Sequence, residues 1–185
     1  NKNINLRIDN SFFLEEASIC LSPNFSEREA DDISLLVLHN ISLPPGEFGG
    51  GNVEKFFLNE LDSDEHPYFK EIHDLKVSSH LYIKRDGSII QFVPLDKKAW
   101  HAGVSSFKGK QNCNEFSIGI ELEGTDDIPY EKAQYLTLIR ITLALMEKYP
   151  YLKKDNIVGH SDIAPERKTD PGGSFDWVYY LSQLD

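Results

Sequence analysis

Cysteine is scarce in this chain of 185 residues: Cys20 and Cys113 are the only two. Two thiols so far apart make no disulfide framework, which fits a reducing cytosol. Long apolar runs are missing as well. None approaches the ~20 residues of a membrane-spanning helix, and Asn1 to Asn10 is polar, without the apolar segment of a signal peptide. Positive charge is in deficit, with 19 Lys and Arg against 30 Asp and Glu, a formal net charge of −11. Duplex DNA and anionic membranes both demand a basic footprint, so neither is expected as a partner. Internal repeats, low-complexity tracts and long linkers are absent too. With 40% hydrophobic and 26% charged residues the chain has material for a real core, and disorder is not expected. The expectation is one domain over residues 1–185, with Asn1 to Asp32 as an arm, extended at its start, packed on or near it.

The apolar run Ser34 to Leu38 reads as a strand buried on both faces. Asn40 to Gly51, with its Pro-Pro-Gly and Gly-Gly-Gly, reads as a loop. Short helices are expected over about Val53 to Leu61 and Pro67 to Leu75. Ser79 to Arg85 and Ser88 to Val93 flank Asp86-Gly87, the signal of a two-residue hairpin. Phe116 to Leu122 is a further buried strand. Leu136, Ile139, Leu143 and Met146 recur at helical spacing between Pro129 and Pro150, which predicts the longest helix over Tyr130 to Tyr149. Asn156 to Val158 is a last strand, and Phe175 to Leu184 a closing helix. The fold class is therefore mixed α/β: a central mixed sheet flanked by helices, with a hairpin at its centre.

His39 and His160 each stand where a strand gives way to a loop, and Asp170 follows His160 by ten residues in a turn bounded by Pro and Gly. Two histidines and a carboxylate suit zinc with one position left open for water, the mark of a catalytic site. Singly, each histidine reads as a cap on its strand and Asp170 as a turn former before Pro171. Together they read as readily as a ligand set. Glu121 lies inside the otherwise apolar Ile118-Gly-Ile-Glu-Leu, so it needs a partner or a function. Desolvation would raise its pKa and suit it to general acid–base work. Glu123 points to the same face and competes for that role. Lys168, two residues before Asp170, suits an oxyanion-stabilising cation or a solvated loop lysine. Trp100 suits stacking on a sugar face or plain packing. His66, His73, His80 and His101 are not expected as ligands.

The stretches His39-Asn-Ile-Ser-Leu-Pro-Pro-Gly-Glu-Phe-Gly-Gly50, Val77-Ser-Ser-His80, Asp96-Lys-Lys-Ala-Trp-His-Ala-Gly103, Phe116-Ser-Ile-Gly-Ile-Glu-Leu-Glu-Gly124 and Gly159-His-Ser-Asp-Ile-Ala-Pro-Glu-Arg-Lys-Thr-Asp-Pro-Gly172 go further. They closely resemble the zinc-dependent N-acetylmuramoyl-L-alanine amidases. Within that family they resemble the 1,6-anhydro-N-acetylmuramoyl-L-alanine amidases of Gram-negative peptidoglycan recycling; the family also includes phage T7-type lysozymes and peptidoglycan recognition proteins. The resemblance runs from about Leu35 to Trp177. It implies one zinc ion on His39, His160 and Asp170, with Glu121 as catalytic glutamate and Lys168 as the lysine near the metal. It implies Asn40 as part of the substrate pocket. It also implies a departure, because enterobacterial members carry an arginine where this chain has Lys76 and another where it has Asn112. Both are expected to hold the muramyl or peptide part, Lys76 with a point charge in place of a planar fork and Asn112 with no charge. The implied enzyme is a cytoplasmic monomer that releases L-alanyl peptides from anhydromuramyl-peptides, in cell-wall recycling and hence in control of inducible β-lactamase. The alternatives are a periplasmic amidase acting on intact murein and a zinc-free peptidoglycan-binding module.

Overall fold

A computed structural model describes residues 6–29 and 32–185. Short strands β1 (Ser18–Ile19) and β2 (Phe25–Glu27) precede β3 (Leu35–Ile41). Helices α1 (Asn52–Phe57) and α2 (Pro67–Ile72) follow, each shorter at its end than the sequence suggested. Next come β4 (Leu81–Ile83), β5 (Ile89–Gln91), β6 (Lys97–Ala99), β7 (Ser106–Phe107) and β8 (Lys110–Gln111). A 3-10 turn at Cys113–Phe116 leads into β9 (Ser117–Glu123), and α3 (Lys132–Lys148) is the longest helix. β10 (Ile157–Gly159) runs straight into α4 (His160–Ile163), and α5 (Trp177–Ser182) is the last helix.

The main sheet has the order β1-β5-β4-β9-β3-β10. Only β4 and β5 pair antiparallel; β4, β9, β3 and β10 all run the same way. Their carboxyl ends therefore open on one edge, where ligands bind in open α/β sheets. Register decides what meets there. On β9, Glu121 lies opposite His39 of β3 and opposite Tyr82 of β4. On β10, Gly159 pairs with Leu38, so His160 emerges one residue on, beside His39. The two middle strands are thus β4 and β9, so the hairpin of β4 and β5 supplies one strand of the sheet centre.

Strand alternation divides the interior. Leu36 and Leu38 of β3, with Ile118, Ile120 and Leu122 of β9, pack with Leu138, Ile141 and Leu145 of α3. A fully buried Leu or Ile of this kind contributes about 1.5–3 kcal/mol. Leu35 and Val37 face the other way and join Ala102, Cys113, Phe116 and Ile163. A third cluster, from Leu43, Val53, Phe56, Phe57, Phe69 and Phe92, seats α1 and α2. Of the residues that the Leu and Met spacing suggested for the inner stripe of α3, Ile139 is buried and Leu143 and Met146 pack against the same cluster; Leu136 alone falls outside it. Leu136 is 48% exposed, while Gln134, Leu138, Ile141, Thr142 and Leu145 are buried. Two polar members complete the stripe. The Gln134 amide donates to the Glu123 carbonyl at 2.9 Å, and the Thr142 hydroxyl meets the Tyr180 hydroxyl at 2.6 Å. Gln134 also forms a capping box with Glu131, which sets where the helix begins.

The hairpin between β4 and β5 is a three-residue loop rather than a two-residue one. Lys84 N–H donates to Ser88 O, and Gly87 N–H donates to Lys84 O. Gly87 takes a φ of 86°, and a Cβ there would come within 2.9 Å of the Ala133 carbonyl on α3. Only glycine serves both demands. Of the expected arm, residues 1–5 and 30–31 lie outside the described residues. The described part joins the sheets: β1 lies along β5, and β2 along β6. Arg28 fastens it, donating to the carbonyls of Asn114, Glu115 and Ser117 at 3.0, 2.9 and 2.7 Å.

Candidate metal centre and catalytic cleft

The apolar registers of β3 and β10 deliver His39 and His160 to the same edge, both buried. Asp170 returns to them because the Ser161 N–H donates to its carbonyl at 3.0 Å, which ties its loop to α4. His39 Nδ1 lies 3.0 Å from His160 Nδ1 and 3.1 Å from Asp170 Oδ2, and His160 Nδ1 lies 3.3 Å from that oxygen. Three electron-rich atoms so close repel unless a cation or shared protons sit among them. Tetrahedral zinc with bonds of 2.0–2.1 Å separates its ligands by about 3.3–3.4 Å, so the donor triangle fits that ion. Among the described residues, this is the one cluster of His, Cys, Asp and Glu suited to a metal ion.

The outer nitrogens are held as well. His160 Nε2 meets the Ala102 carbonyl at 2.9 Å. His39 Nε2 meets His101 Nδ1 at 2.9 Å. Burial holds His39 below the usual imidazole range, which keeps it neutral as a ligand must be. Burial would raise Asp170, but hydrogen bonds from His160 and His39 outweigh it and hold the carboxyl below its ordinary value.

Glu121 borders this triangle from β9. Its Oε1 is buried without a hydrogen-bond partner. Burial, helped by the Asp170 charge and opposed by Lys168, pushes its pKa well above the carboxylate range. A carboxyl so raised holds its proton more tightly than an ordinary one, a property that suits general acid–base work. Glu123, its rival, is spoken for: it accepts from Gly49 N–H at 2.7 Å and Arg85 N–H at 2.9 Å. It pins the loop after β3 to the hairpin.

A cleft of about 610 Å³ opens over these groups, within the range of small-ligand sites. Its lining combines apolar side chains, Leu43, Phe56, Ile72, Val77 and Trp100, with the polar Asn40, Glu121, Asp126, Lys168 and Thr169. Trp100 is fixed by its indole N–H, which donates to Ser26 Oγ on β2 at 3.1 Å. Asn40 donates to Asp126 at 2.7 Å, and Thr169 donates to the same carboxylate at 2.5 Å. Lys76 and Asn112 are exposed and do not line the cleft. Lys76 stands between Leu75 and Val77, which do. Asn112, with a φ of 58°, precedes the 3-10 turn.

Sequence reasoning set His101 and Asp126 aside or passed over them. His101 had a signal in Gly119, since a glycine within a strand marks a close approach: a Cβ there would overlap the His101 ring. Asp126 had none, being one acidic residue in an acidic turn. His80 is buried away from the triangle. Burial and the Arg28 charge lower its pKa to about 3, and its Nδ1 accepts from Gly119 N–H at 3.1 Å.

The N-acetylmuramoyl-L-alanine amidase family matches residues 29–173 of this chain. The 1,6-anhydro-N-acetylmuramyl-L-alanine amidase AmpD of Citrobacter freundii is 55% identical over 169 residues, covering 91% of this chain and 90% of that protein. The crystal structure of a selenomethionine derivative of AmpD superposes with a TM-score of 0.93 at 52% identity, covering 97% of this chain and all of that one (100%). The N-acetylmuramyl-L-alanine amidase AmiD of E. coli, in complex with the substrate anhydro-N-acetylmuramic acid-L-Ala-D-gamma-Glu-L-Lys, matches with a TM-score of 0.61 at 28% identity. It covers 86% of this chain and 65% of AmiD.

Proposed function

The chain belongs to the N-acetylmuramoyl-L-alanine amidase family, and from that premise we propose that it cleaves the amide between the lactyl group of 1,6-anhydro-N-acetylmuramic acid and L-alanine of peptidoglycan stem peptides. Its place is then cell-wall recycling, with control of inducible β-lactamase as a consequence. The observation that carries this reading is the strand register that sets His39 opposite Glu121 while His160 and Asp170 complete a donor triangle. A zinc-free binding module has no need of all three donors.

His39 and His160, through Nδ1, and Asp170, through Oδ2, are the residues that would hold zinc. The bound ion supplies Lewis acidity toward the amide carbonyl and brings the pKa of water toward ~7. Glu121 takes the proton of the attacking water and returns it to the leaving alanine nitrogen. Lys168 faces the negative charge that develops on the carbonyl oxygen. Asn40 and Trp100 supply a polar contact and a flat apolar face for the sugar. Lys76 and Asn112 stay outside the cleft lining, so any hold on the peptide there comes from its rim. The same reading takes the enzyme as a cytoplasmic monomer acting on a small substrate; Cys20 and Cys113 are unpaired, and no helix among the described residues is long and apolar enough to cross a membrane.

Incubation with anhydromuramyl-tripeptide should release free tripeptide, and a chelator should stop it. Rates on the ordinary muramyl-peptide should be lower by roughly 5- to 150-fold, because a pocket shaped to the bicyclic ring must desolvate the extra anomeric hydroxyl. Equal rates would leave an amidase but remove the recycling role.

A further inference from the structure

We infer that His101 is a positioning residue that orients His39 toward the metal, and that the dipeptide His101-Ala102 aims both histidine ligands. The inference rests on the metal-centre reading above. A histidine that ligates through Nδ1 must carry its proton on Nε2. For His39 that proton needs an acceptor, and His101 Nδ1 stands 2.9 Å away. His101 can accept there only if its own proton is on Nε2, and that nitrogen faces Ser117 Oγ at 3.0 Å. Ser117 Oγ can accept that proton, and with it there His101 Nδ1 is left as the acceptor that holds His39 in its Nε2–H tautomer. The next residue does the same for the second ligand, since His160 Nε2 donates to the Ala102 carbonyl at 2.9 Å.

The dipeptide is built to stay in place. Asn114 Oδ1 accepts from both His101 N–H, at 3.1 Å, and Ala102 N–H, at 2.8 Å. Gly119 leaves the floor on which the His101 ring lies. The His101 and His39 rings meet edge to face, with centroids 5.0 Å apart at 89°. An outer partner of this kind is worth 10–100-fold in metal affinity. An imidazole in place of a carboxylate adds no charge behind the ligand, so it orients His39 without weakening the Lewis acidity of the ion.

Zinc affinity by competition with a chelator is the test, with melting of the metal-free protein measured alongside. His101→Phe keeps a ring but removes the acceptor; it should weaken zinc binding by about 10–100-fold. His101→Asn puts an oxygen near the Nδ1 position and should restore affinity to within a few-fold of wild type. Ser117→Ala is a milder variant and should shift affinity in the same direction by less. If wild type holds zinc and His101→Phe holds it as tightly, or if Phe and Asn weaken it equally, His101 merely fills space and the inference falls alone. A wild type that holds no zinc overturns the metal-centre reading and this inference with it.

Discussion

The two faces of β9 bury groups of opposite kinds. Ile118, Ile120 and Leu122 turn to α3 and lie in a continuous apolar cluster. Ser117, Gly119, Glu121 and Glu123 turn the other way, toward imidazoles, a loop and the cleft. The first face gains stability from every atom it buries. The second holds groups that cost stability: a carboxylate oxygen with no partner, and three donors crowded into one triangle. Folding alone would not select that arrangement, so its presence marks where chemistry was favoured over stability. Substitutions on the two faces should therefore have opposite signatures.

The largest effect should come from the donor triangle. His39→Ala, His160→Ala or Asp170→Ala removes one of three donors. Metal content should fall from about one zinc per chain to near none, and turnover to the level of chelator-treated wild type. Metal analysis with a turnover assay checks both; full zinc content in all three variants discards the assignment.

Next is Glu121→Gln. Zinc should remain while turnover drops by roughly 10²–10⁴-fold, the scale of a general acid–base group. The same variant should be more stable than wild type in the metal-free state, with a dependence on pH. Because its folded pKa is raised, native Glu121 keeps a proton that the unfolded chain releases above ~4.3. Wild type then loses stability as pH rises from there through the raised value, and Gln does not. The gap in melting temperature should widen with pH across that window. A gap that narrows would mean Glu121 is stabilised as an anion.

Lys168→Ala should cost less, roughly 10²–10³-fold in kcat with little change in KM, as for a lost oxyanion partner. A change confined to KM would make Lys168 a substrate-binding group.

Much of this was legible in the sequence, and for unequal reasons. The donor set stood out because histidines at the ends of apolar strands are rare enough to notice, and Glu121 because a carboxylate interrupts Ile118 to Leu122. The β9 segment even spells its two faces in alternation, Ser-Ile-Gly-Ile-Glu-Leu-Glu. What was hidden depends on partners distant in sequence. The support from His101, Asn114 and Ser117 exists only after β9 is laid beside the Trp100 segment. The three-residue hairpin loop follows from where Lys84 and Ser88 pair, not from Asp-Gly itself. Strand β2 was missed because its residues are exposed or half-buried and pair only with β6. On α3 the spacing found Ile139, Leu143 and Met146 but put Leu136 inside, because Gln134 and Thr142 are buried through hydrogen bonds, which hydrophobic spacing cannot register.

That last mismatch yields the smallest effect and the sharpest test of the apolar face. Leu136 and Leu138 sit two residues apart on one helix, and both are leucines. Spacing along the sequence favours Leu136 as the core residue. The fold instead leaves it 48% exposed and buries Leu138 fully, at 0%, against β9 and β3. Leu138→Ala should cost about 2–5 kcal/mol, from lost burial and the cavity left between helix and sheet. Leu136→Ala should stay within about 0.5 kcal/mol, as a surface change on a helix where Ala is a good former. Neither should move kcat of the folded enzyme, because α3 touches the face of β9 that carries no chemistry. Chemical denaturation of both variants, with turnover measured well below the transition, checks the pair. Equal costs would return Leu136 to the core. A loss of kcat in Leu138→Ala without unfolding would show that strain on the apolar face reaches Glu121, and the separation of the two faces would fail.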